Sequence, residues 1–161
     1  MTSRWAYRLG QVGAAHRARM NDADRAEALS HLAPELGRLY LGMAVRDQKH
    51  ALRVLRRLGP ADPLLCQAAL LHDVGKTMAP LGTVGRSLVV LAEATGSTRL
   101  LFAVPFLGTR VRRYLRHPEI GAEMLRAAGA DAALLEIVAE HESRLPHHPA
   151  TARLQAVDER E

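Results

Sequence analysis

Apolar residues recur along the chain at helical spacing, and prolines, glycines and small polar residues cut the pattern into short segments. Residues 22–32 form an amphipathic segment that stops before Pro34, and 35–45 form another. Asp47 is placed as the N-cap of a helix through Leu58, with Leu52, Val54, Leu55 and Leu58 apolar and Gly59-Pro60 as its stop. His50 then falls in that helix's first turn. Pro63 opens a helix carrying Leu64, Leu65, Ala68, Ala69 and Leu71, which ends at His72-Asp73, with Gly75 available for a left-handed C-cap. The segment from Ser87 to Ala94 is predicted helical, whereas Pro105 argues against one continuous helix through 100–107. Val111 to Leu115 leads to His117, and Pro118 starts a helix through Ala128 that Gly129 ends. Asp131 caps the next, which runs through Leu134, Leu135, Ile137 and Val138 to His141. After a loop from Pro146 to Pro149, a final helix carries Leu154, Val157 and Asp158.

No internal repeat or low-complexity linker interrupts this series. The expected architecture is an all-α, single-domain helical bundle over residues 35–161, with residues 1–34 as a loosely attached N-terminal helical extension. Composition agrees, because Ala, Leu and Arg dominate while aromatics make up only 4%. With 161 residues, 48% of them hydrophobic, the chain can bury one sizeable core and has little room for a second.

The lone cysteine, Cys66, cannot close an intramolecular disulfide or build a Cys-rich zinc site, so a reducing cytoplasm fits. Met1 to Met20 carries Arg4, Arg8, Arg17 and Arg19 without a continuous apolar core, unlike a secretory signal. No run of eighteen apolar residues predicts a transmembrane helix.

The formal charge of +5 comes from arginine, since Lys49 and Lys76 are the only lysines. Such a surface suits anionic partners, although arginine-for-lysine usage also follows genomic base composition. Without aromatic stacking positions or a recognisable reading helix, no specific nucleic-acid binding is expected. Arg99, Arg110, Arg112, Arg113 and Arg116 flank the apolar run 100–107. That segment fits a phosphate-binding lid, a basic surface for a membrane or partner, or a core-packed helix with a solvated arginine face.

The sharpest chemistry is His72-Asp73, which closes the apolar run Ala68, Ala69, Leu70 and Leu71. Burying an unpaired carboxylate costs several kcal/mol, so Asp73 needs a cation, a dense set of donors or a raised pKa. The alternative is a polar helix end facing water. Four of the eight histidines (His50, His72, His117 and His141) lie at or near predicted helix ends, which can converge in a bundle. With Asp73 and Asp158 they offer six nitrogen and oxygen ligands, enough for two metals.

Taken singly, several of these residues have plainer readings. His117 before Pro118 also fits a cap or loop, and His141 between Glu140 and Glu142 fits a surface ion pair. Asp158 lies near the last residue, where helices fray, and its inward aim rests on Leu154 and Val157 packing on the core. His147-His148 reads as exposed loop or as part of a site mouth, and His16, Arg19 and His31 read as surface.

The order His50, His72-Asp73, His117, His141, Asp158 resembles the ligand order of the two-metal branch of the HD-domain metal-dependent phosphohydrolases. The string "LLHDVGK" resembles the defining doublet of that family with its Gly-Lys extension. "HPEIGAEML" resembles the segment that supplies a second-metal histidine. The resemblance covers roughly residues 47–158. It implies a first metal held by His50, His72, Asp73 and Asp158, with Asp73 bridging to a second held by His117 and His141. The expected cofactor is a divalent transition metal, one or two per chain, drawn from Fe, Mn, Zn, Ni or Co.

Two ions about 3.5 to 4 Å apart would share a water that becomes hydroxide near neutral pH and attacks phosphorus in line. Asp73 and Lys76 would then form the catalytic group, with Lys76 on a phosphoryl oxygen and Arg113 and Arg116 as substrate contacts. The expected activity is hydrolysis of a phosphate mono- or diester, of a nucleotide or another small phosphorylated, anionic substrate. Where the cyclic-di-GMP phosphodiesterases of this superfamily carry a Gly-Tyr-Pro signature, His141 is followed by Glu142-Ser143-Arg144-Leu145-Pro146, which disfavours that substrate. The same ligands also fit an HD-fold di-iron oxygenase. A non-catalytic nucleotide-binding module is a further alternative, against which the six costly polar groups argue.

Overall fold

In the computed structural model, the described residues are 20–78 and 107–160, with positions 81, 85, 89, 91, 92, 95–97 and 102 between them. Residues 1–19, Arg99, and most of 87–94 and 100–107 lie outside them, so the expectations for those segments have no structural counterpart here. The described residues form eight α-helices and one 3-10 helix, with no strand among them. In chain order these are α1 (Asp22–Ser30), α2 (Pro34–Gly42), α3 (Val45–Leu58), α4 (Pro63–Leu71), the 3-10 turn (Val74–Met78), α5 (Leu107–Leu115), α6 (His117–Ala127), α7 (Ala132–Glu140) and α8 (Pro149–Asp158). None of them is long and apolar enough to cross a membrane.

Local chemistry sets most of the boundaries. Asp62 and Asp131 accept from the backbone amides of Leu65 and Ala133, capping α4 and α7, and Pro63 fills the first position of α4. Gly59 and Gly129, with φ of 63° and 77°, supply the left-handed turns after α3 and α6.

The junction between α2 and α3 differs from the sequence expectation. α2 ends at Gly42, Met43 is extended, and Ala44 rather than Asp47 is the N-cap of α3. Asp47 is buried in the first turn, and His50 falls in the second. The break is made by tertiary hydrogen bonds: the Gln48 amide donates to the carbonyls of Leu41 (3.2 Å) and Met43 (2.8 Å), and the Tyr40 hydroxyl donates to the Gln48 carbonyl (2.9 Å). The Gln48 amide thereby gives a partner to the Leu41 carbonyl, one of those that the end of α2 leaves unpaired.

One core runs through the bundle, with Leu52, Leu70, Leu71, Leu125, Ile137 and Leu154 among its fully buried members. Met20 and Ala28 belong to it, so residues 20–34 pack as part of the bundle. Arg56 of α3 reinforces this attachment through Glu27 and Asp24 of α1. α3 lies on α4, while α6 lies on both α7 and the 3-10 turn. A smaller cluster of Leu81, Val89 and Val111, backed by Phe102 and Tyr114, seats α5. This packing brings the C-terminal ends of α4, α7 and α8 together with the start of α6.

Candidate metal centre

Three histidines are set by the same local device. His72 ends α4, His117 follows the last turn of α5, and His141 ends α7. Each places its Nδ1 against the carbonyl three residues back: Ala69 at 3.0 Å, Tyr114 at 2.7 Å and Val138 at 2.7 Å. A carbonyl can only accept, so Nδ1 carries the proton and the ring satisfies one of the carbonyls that a helix end leaves unpaired. Each Nε2 is thereby left as a lone pair aimed away from its own helix, the orientation a metal-ligating histidine adopts.

These lone pairs meet at Asp73. Its Oδ1 lies 3.7 Å from Nε2 of His72, 3.3 Å from that of His117 and 3.7 Å from that of His141. The other oxygen, Oδ2, accepts from Lys76 Nζ at 2.6 Å, one turn ahead on the 3-10 helix. On the far side of His72, Asp158 Oδ1 stands 3.5 Å from His72 Nε2 and 2.8 Å from His50 Nε2. The six side chains fall into two groups, His50 with His72 and Asp158, and Asp73 with His117 and His141. Within each group the ligand atoms lie within 4.8 Å of one another.

His72, Asp73, His117 and His141 are buried, yet His72 Nε2 and Asp73 Oδ1 have no hydrogen-bond partner. Acceptors facing acceptors in a dry site repel, and a shared cation removes that cost. The spacing suits one, since two donors on a tetrahedral transition metal lie roughly 3.4 Å apart. The buried His and Asp groups therefore fit a metal ion in both chemistry and distance.

Burial pushes the Asp73 carboxyl up, but His72, His117, His141 and Lys76 outweigh it and hold the group well below the usual carboxylate range. Burial depresses His72, and Asp73 and Asp158 overcome that and raise it. Burial dominates at His141 and lowers it. Burial also opposes the charge on Lys76, and Asp73 more than restores it. Burial likewise acts against ionised Asp158, which His50 and His72 hold below its ordinary value.

The remaining expected site residues are placed otherwise. Arg113 and Arg116 are exposed, and the Arg116 guanidinium turns to Glu119 at 2.6 Å. Glu140 pairs with His147 rather than with His141: it accepts from the His147 ring at 2.6 Å and from the amides of His147 and His148. His148 caps α8 through the amide of Ala150.

Gln155 also belongs to this centre, although no motif in the sequence marks it. Its amide donates to the carbonyls of His141 (2.9 Å) and Ser143 (2.8 Å), tying α8 to the turn after α7. Its one signal was position, three residues before Asp158 and so on the same side of α8. Beside this turn a cleft of about 410 Å³ opens, lined by His141, Glu142, Ser143, Arg144, Gln155, Asp158 and Glu159. It reaches one ligand of each group. No protein-family model matches the chain, and neither does any curated protein or solved structure.

Proposed function

We propose that this chain is a metal-dependent phosphohydrolase of the HD-domain type, acting in the cytoplasm on a small phosphorylated substrate such as a nucleotide. The observation that carries the reading is the unpartnered Asp73 Oδ1, 3.7 Å from Nε2 of both His72 and His141, and so central to the two ligand groups. His50, His72 and Asp158 would hold one divalent ion, His117 and His141 a second, with Asp73 between them. A bound pair of this kind supplies a hydroxide near neutral pH and neutralises charge on a phosphoryl group.

The chain's own residues do the rest. Lys76 keeps Asp73 ionised and fixes its Oδ2, so that Oδ1 is held toward the histidines. Its ammonium has two further protons for a phosphoryl oxygen. The carbonyls of Ala69, Tyr114 and Val138 lock the three rings, which keeps the ligand atoms in place before substrate arrives. The cleft beside His141 and Asp158 admits the substrate. Arg113 and Arg116 are the exposed cations nearest His117 in sequence and would draw an anionic ester toward it.

The test is elemental analysis of the purified protein together with a phosphate-release panel, run beside His72→Ala and His117→Ala. Metal loss in the first variant, partial loss in the second and phosphate release by the wild type are expected. Unchanged metal content in both variants would sink the reading. Aerobic, iron-dependent turnover without phosphate release would assign the site to the di-iron oxygenases instead.

A further inference from the structure

We propose that Glu142 is a further protein ligand at the site formed by Asp73, His117 and His141. The inference rests on the two-metal reading above and concerns a residue outside the six expected ligands. Glu142 Oε1 lies 3.6 Å from His117 Nε2, on the side of that ring away from its bond to Tyr114. Because Nδ1 of His117 donates to the Tyr114 carbonyl, Nε2 presents a lone pair, and a carboxylate facing a lone pair has nothing to share with it. A cation held between them gives both groups a partner.

The two ligand groups also differ in a way that Glu142 would even out. One has two histidines and a carboxylate of its own, Asp158. The other has two histidines and only Asp73, whose Oδ1 also faces His72. With Glu142 each ion would have two histidines, one private carboxylate and a share of Asp73. The three carboxylates would then offset three of the four positive charges that two divalent ions bring, and imidazole mixed with carboxylate is a donor set that zinc and non-haem iron both take.

The backbone holds Glu142 at this spot. It follows His141 directly, and Gln155 clamps the residues on either side of it through the carbonyls of His141 and Ser143. The side chain is 53% exposed and lines the cleft, so it closes the site on its open side.

The full chain, stripped of metal, is titrated with Co(II) by calorimetry and by visible absorption. The wild type is expected to take up two ions. Glu142→Gln should weaken the second about 10- to 100-fold and shift its absorption bands, leaving the first ion's affinity unchanged. Glu136→Gln, an exposed carboxylate on the outer side of α7, should change neither ion. A wild-type second affinity and spectrum in Glu142→Gln overturns the ligand assignment alone. A wild type that takes up fewer than two ions overturns the two-metal reading and the assignment with it.

Discussion

The carbonyl oxygen of His117 occupies the space where a side chain on Gly75 would begin, so that a Cβ built on Gly75 would stand 2.0 Å from it. The same Cβ would meet the amide nitrogen of Gly121 at 2.7 Å. The 3-10 turn that carries Lys76 and the first turn of α6 are therefore in backbone contact. This explains why "HDVGK" needs its glycine, and it fixes Asp73 against His117. Gly75 serves close approach here; its expected left-handed C-cap conformation is not adopted, because it lies inside the 3-10 turn.

Gly75→Ala must consequently push α6 away from the turn, since backbone atoms on both sides leave no soft neighbour to yield. A loss of about 3–5 kcal/mol is expected, at the upper end for one substitution, together with loss of the ion at Asp73, His117 and His141. Thermal melting and metal content measure the two effects separately. Gly121→Ala should cost far less, because its Cβ would meet atoms at 3.3 Å and the helix gains alanine's propensity. Equal melting temperatures for Gly75→Ala and the wild type would refute the close contact.

Metal removal should lower stability through the same site. With free metal at about 100 times Kd, binding adds about 2.7 kcal/mol. Each kcal/mol moves the melting point of a domain of this size by about 2–4 °C. Chelation should thus lower the melting temperature by roughly 5–10 °C. In Asp73→Asn, which withdraws the carboxylate between the two groups, chelator should produce no shift. A chelator-sensitive Asp73→Asn protein would show that Asp73 is not the shared ligand.

The helices and the histidines at their ends were legible because local chemistry writes them. Asp62 with Pro63 opens α4 and Asp131 opens α7, glycines close α3 and α6, and three histidines sit where each can bond the carbonyl of the preceding last turn. The missed features are made by contacts between elements rather than within one. Met43 ends no helix by its own preference; Gln48 and Tyr40 impose the break through buried hydrogen bonds. Gln155 touches the His141 turn only once α8 has docked, and Glu142 looked like a surface neighbour of His141 until α6 placed His117 beside it.

The loop between α7 and α8 should respond to pH through His147 and Glu140. Glu140 raises His147 above its ordinary value, and hydrogen bonds from His147 lower Glu140. The His147 contribution is complete below its unfolded pKa and is lost as pH rises through the raised one. The Glu140 contribution is complete above its unfolded pKa and is lost as pH falls through the lowered one. The charged tether is therefore complete between roughly pH 4.5 and 6.5. Ring proton shifts of His147 followed by NMR should give a raised midpoint that Glu140→Gln returns toward the ordinary value. An unmoved midpoint would place the His147 ring away from Glu140.

Gln155→Leu tests whether the two ligand groups are held in register by a side chain that is a ligand in neither. Leucine keeps the bulk but removes both donors, leaving the carbonyls of His141 and Ser143 to the solvent of the cleft. The stability cost should be modest, about 1 kcal/mol per hydrogen bond. The turn that carries His141 and Glu142 would lose its anchor on α8, so metal affinity at Asp73, His117 and His141 should fall about 10-fold or more. Affinity at His50, His72 and Asp158 should hold, because Leu154 still seats α8 in the core. Calorimetric titration of the metal-free protein separates the sites, and an equal fall at both would mean that Gln155 serves the docking of α8 rather than the register of the turn.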